Sequence, residues 1–109
     1  MIKNIRDAQT FDKNHMKKET LFQQDDHSIF LINLLPGQKL PAHRHPDQHV
    51  YLLVLEGEGE YTINGERHSL AWRDVLHGQN DEWLGVENTG RKFMTLYVVL
   101  TRNCHNQVH

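Results

Sequence analysis

The sequence predicts an all-β fold, a small antiparallel barrel or sandwich, and three observations carry that prediction. Short apolar or alternating runs recur along the chain, separated by turn residues. Asn64-Gly65 stands between the runs at 60–63 and 67–70 and is the strongest hairpin signal present. A type I′ turn needs positive φ at both central residues, which Asn and Gly accept cheaply. No segment shows the apolar stripe of a helix; residues 7–18 come nearest, yet Ala8, Phe11 and Met16 do not share a face.

In chain order, residues 17–23 and 28–35 read as strands, the second β-branched and apolar. Pro36-Gly37 breaks the chain before a strand over 39–45. Residues 50–55 read as a buried strand ending at Glu56-Gly57-Glu58-Gly59, where glycine spacing indicates a solvated turn rather than a carboxylate cluster. After the hairpin come short strands at 74–77 and 83–87 and a turn at Asn88-Thr89-Gly90. The last strand, 91–101, is apolar on both faces at Tyr97-Val98-Val99-Leu100. That suits either a central strand or one whose outer face a second subunit covers. About nine short strands need closure or two packed sheets to hide their edges.

A chain of 109 residues is expected to form one domain with one core, here about residues 17–101. A net charge of −2 gives no basic footprint for nucleic acid or an anionic membrane. No stretch approaches transmembrane length and no apolar leader follows Met1, so the expected compartment is the cytoplasm. Cys104 is the sole cysteine, which excludes an internal disulfide and reads as an ordinary thiol. The tail 101–109 lacks apolar periodicity, and His105 and His109 within it read as solvated.

The chemistry concentrates at His43-Arg44-His45, followed by His49 and the apolar run 50–55. Alternation in an extended strand points His43 and His45 the same way, about 7 Å apart at Cα. His49 has the same parity, with Pro46 and Asp47 as a bend in between. Three imidazoles beside a buried strand suit a divalent transition metal. Against that, nine histidines in one chain raise the chance of an incidental pair.

These residues resemble a small single-domain cupin. That family's first motif runs Gly, five residues, His-x-His, three or four residues, Glu, six residues, Gly. Gly37, His43, His45, His49 and Gly57 follow it in order, and Gly65, Asp74 and Asn88-Thr89-Gly90 follow the second motif. The resemblance implies a jelly-roll β-barrel, a metal held by His43, His45 and His49, and a homodimer. His77 is the substitute for the second-motif histidine, because a gapless alignment puts Leu84 at that position. His49 itself stands where the family has a carboxylate, and anchoring on Gly57 moves that position to Val50. Trp72 and Arg73 replace the usual Pro-x-Gly before Asp74.

The expected function is therefore a metal-binding cupin acting on a small polar metabolite through one divalent ion (Zn, Fe, Ni or Mn) at His43, His45, His49 and His77. Oxidoreductase, isomerase and lyase chemistry are the reaction classes such an ion would serve, since it polarises carbonyls, ligates enolates or activates O₂. The alternatives are a non-catalytic module binding a metabolite or metal, and a metal-free scaffold. A small-molecule partner is expected, and neither nucleic acid nor membrane. Trp72, Trp83, Tyr51 and Tyr61 read as core aromatics. Asp81-Glu82 reads as loop, and His15, His27 and His68 as residues outside the site.

Overall fold

Alternation between apolar and polar positions builds two antiparallel sheets that bury their facing rows. The structure, a computed structural model, describes residues 1–79 and 81–102. The strands are β1 (Lys17–Gln23), β2 (His27–Leu34), β3 (Lys39–His43), β4 (Gln48–Glu56), β5 (Gly59–Ile63), β6 (Glu66–Leu70), β7 (Val75–Gly78), β8 (Leu84–Glu87) and β9 (Met94–Arg102). One sheet has the order β1-β2-β9-β4-β7, the other β3-β8-β5-β6. This is the all-β jelly-roll architecture expected from the sequence. Asn64 and Gly65 take φ of 51° and 84° in the tight β5–β6 turn, as the hairpin signal requires.

The core lies between the sheets. Phe30, Ile32 and Leu34 of β2, Val50, Leu52 and Val54 of β4, and Met94, Leu96 and Val98 of β9 face Leu70, Leu84 and Val86 of the other sheet. Each strand contributes every second residue, so the opposite parity points outward. Strand β9 is central, flanked by β2 and β4. Part of its outer face meets a second, smaller apolar cluster in which Ala8, Leu21 and Leu31 are buried with Ile5, Leu55 and Tyr97 around them.

Ala8 belongs to a four-residue helix, α1 (Ile5–Ala8), which overlaps only the first two residues of the stretch 7–18 that the sequence marked as nearest to helical. Asn4 caps it, its side-chain oxygen accepting from the Arg6 N–H. Three of the four aromatic residues expected in the core are instead exposed: Trp72 by 57%, Trp83 by 47% and Tyr51 by 42%. The tryptophans lie outside the strands, where no second layer covers them. Trp72 donates its indole N–H to the Leu55 carbonyl, while Tyr51 has outward parity on β4. Tyr61 is partly buried against the core. Cys104, His105 and His109 lie outside the described residues. Among the described residues no helix is long and apolar enough to cross a membrane.

Candidate functional site

His43 and His45 face inward because β3 carries a bulge. Leu40 pairs with Val86 and packs against the core, so strict alternation would bring residues 42 and 44 to the same face. The register slips between Leu40 and His43, which pairs with Leu84. One extra residue on β3 thus turns the two histidines toward the interior. Gly85 leaves room for the bulge: a Cβ there would sit 3.1 Å from the Ala42 Cα and 3.0 Å from the Thr62 Oγ1.

His43 donates from Nδ1 to the Pro41 carbonyl at 2.8 Å, which leaves Nε2 free of that bond. Its ring meets His45 edge-on, with centroids 4.4 Å apart. Burial holds the His45 pKa below its ordinary value, and the neighbouring His43 and Lys18 push the same way. A hydrogen bond to the Gln48 side chain opposes them. Both histidines line a cavity of about 200 Å³ between the sheets, with Phe30, Ile32, Val50, Leu52, Leu84 and Val98 among its walls.

The other two expected ligands point elsewhere. After His45 the chain turns at Pro46-Asp47, where Asp47 has φ of 60° and the Gln48 N–H bonds back to the His45 carbonyl at 3.1 Å. The turn resets the parity. Val50, Leu52 and Val54 now face the core, so His49 and Tyr51 face out. His77 on β7 pairs with Tyr51 across the strands, and their rings stack at 4.6 Å with 8° between planes. His49 Nδ1 and His77 Nε2 are hydrogen-bonded at 2.9 Å. The four histidines therefore form two pairs, one in the cavity and one on the outer face of the five-stranded sheet.

Val50 and Leu84 are among the residues that line the cavity with His43 and His45. They are the positions reached by anchoring the first motif on Gly57 and by aligning the second without a gap. The two imidazoles thus share the cavity wall with two aliphatic side chains, exposed by 6% and 5%. Among the described residues no group of three or more His, Cys, Asp or Glu could hold a metal ion. Zinc sites draw three or four ligands from the protein, so the described donor set does not fit a resident zinc ion.

Lys18 was not singled out by the sequence. It lies on the inward parity of β1, opposite Ile32, and its ammonium stands 4.3 Å from the Phe30 ring centroid at the cavity wall. Only strand pairing reveals that position, since a lysine in an alternating strand otherwise reads as solvated. The remaining residues follow their expected local roles. Glu82 accepts from the Gln79 N–H in a loop, His27 bonds Asp26, and His68 pairs with Glu66.

Two antiparallel sheets enclosing a pocket marked by a His-x-His segment define a jelly-roll protein with an interior ligand-sized cavity. Residues 30–100 match the model of the Cupin domain family, and the chain belongs to that family. Among solved structures, TT1209 from Thermus thermophilus superposes with a TM-score of 0.87 at 26% identity, over 94% of this chain and 97% of that one. An uncharacterised conserved protein with a double-stranded β-helix domain from Klebsiella pneumoniae gives 0.88 at 20% identity, over 94% and 90%. A predicted oxalate decarboxylase from Thermotoga maritima gives 0.76 at 22% identity, over 80% of each chain, a likeness of fold alone. No curated protein matches the chain.

Proposed function

We propose that this cupin binds a small organic molecule in the cavity between its sheets and does so without a resident metal ion. One observation carries the reading: Val50 and Leu84 occupy the cavity wall beside His43 and His45. Aliphatic side chains at those positions remove two donors and add apolar surface. A concave, mostly apolar site with a few placed polar groups is the usual form of a small-molecule pocket. The metal-enzyme alternative would need His49 and His77 to turn through the sheet, and each is bonded to the other on the outer face.

In this reading the histidines orient the ligand rather than a metal. Burial keeps His45 neutral to lower pH than a free imidazole, so its ring nitrogens serve as one donor and one acceptor. The test is a titration of metal-free protein with benzyl alcohol, a neutral apolar probe, followed by methyl NMR. Shifts at Leu84, Val98 and Val50 with no added metal are expected. Stoichiometric metal in protein purified without supplementation, lost in His45→Ala, would overturn the reading.

A further inference from the structure

The polar groups on the cavity wall are of one kind, which bears on the chemistry of its occupant. Lys18 brings a full positive charge to the wall, and His43 and His45 bring imidazoles. No carboxylate lines the cavity among the described residues. The Lys18 ammonium rests over the Phe30 ring, and among the described residues no carboxylate pairs with it at the cavity. Asp25 and Asp26 line a neighbouring groove with Lys18 rather than this cavity, and Asp26 is engaged by His27 at 2.7 Å. The rest of the lining is hydrocarbon and one thioether, from Met16, Ile32, Leu40, Leu52 and Leu100 among others.

We infer that the occupant is a small organic anion with an apolar body, of the monocarboxylate class, its head held by Lys18 beside the His43–His45 pair and its body in the aliphatic interior. The inference rests on the reading of this cavity as a ligand pocket. A cation would meet the Lys18 charge with no carboxylate on the described cavity wall to offset it. A neutral apolar molecule would fill the interior but leave the ammonium unused. A small dianion would fill the mouth and leave the hydrocarbon wall wet. Size agrees, since an apolar cavity of about 150 Å³ accepts benzene, and this one is about 200 Å³.

Benzoate, benzamide and benzylamine share one body and differ in head-group charge, so they separate the cases. Each is titrated into chelator-treated protein by NMR, with Leu84 and Val98 reporting occupancy. Benzoate is expected to bind about tenfold more tightly than benzamide, the worth of one charge-assisted contact, and benzylamine more weakly than both. In Lys18→Met the benzoate preference should fall to near parity while benzamide affinity holds. Lys18 is exposed on an edge strand, so that variant keeps the core intact. Equal binding of benzoate and benzamide, or tightest binding of benzylamine, overturns the anion assignment and leaves the pocket standing. Failure of all three probes to shift the cavity methyls overturns the pocket reading itself, and the inference with it.

Discussion

His45 is the residue at which the inner site senses pH. Its pKa in the folded chain lies below the ordinary 6.5, chiefly through burial. The unfolded chain therefore takes up this proton first. Well above pH 6.5 both states are neutral here and His45 adds no pH dependence. As pH falls through that value toward the lower folded pKa, the unfolded state is favoured and stability drops. Urea unfolding at pH 7.5 and pH 5.5 should show this loss, and His45→Gln should reduce it. An unchanged loss in His45→Gln would place the dependence on another group.

The same scale explains which site residues were legible. His43 and His45 keep their common parity because they flank a single residue. His49 shares that parity on paper, but the Asp47 bend makes the count across the turn irrelevant. The count from Gly57 at the other end of β4 selects Val50, which lies in the inward row with Leu52 and Val54. Lys18 was invisible because its inward face depends on pairing with β2 rather than on its neighbours in sequence.

At the scale of elements, the strands were legible and the bulge was not. Period-two patterning and turn residues locate all nine strands to within a few residues, because each strand half-buries itself. The β3 bulge has no such signature. Pro41-Ala42 is compatible with regular strand, and the extra residue appears only against the register of β8. Gly85 is its partner in space. Gly85→Ala would push a methyl against the Ala42 backbone and the Thr62 hydroxyl. A loss of about 1–3 kcal/mol in urea unfolding is expected, as for overpacking elsewhere. The same variant should shift the His43 and His45 ring resonances. Unchanged stability and unchanged rings would mean that the bulge does not depend on this glycine.

The whole molecule stands on two apolar layers, one between the sheets and one where the N-terminal segment crosses the outer face. A polar clasp fixes the second. Asn33 donates to the Ala8 carbonyl at 2.9 Å and accepts from the Thr95 hydroxyl at 2.9 Å, and all three residues are buried. Asn33→Leu leaves both partners without it, and about 1–3 kcal/mol of stability should be lost. Loss of protection at the α1 and β1 amides in hydrogen exchange would accompany it; retention would show that the apolar contacts hold the segment alone. The sequence left open whether β9 was a central strand or one whose outer face a second subunit covers, and did not indicate cover by the N-terminal segment. It could not resolve this, because α1 is too short to show periodicity and Asn33 lies within an apolar strand.

The family frame was legible across most of the core because glycine and turn spacing outlast changes in side-chain chemistry. The contents of the pocket turn on two residues, Val50 and Leu84, and on which anchor fixes their place. On the metal-free reading, these two leave the inner histidines without enough partners to retain an ion. Calorimetric titration of metal-free protein with Zn²⁺, beside His45→Ala, tests it most directly. Wild type and variant should bind zinc alike, with no cavity site tighter than about 1 μM, because two imidazoles lack the three or four protein ligands of a zinc centre. One equivalent bound in the nanomolar range by the wild type and lost in His45→Ala would mean that the inner histidines do hold an ion.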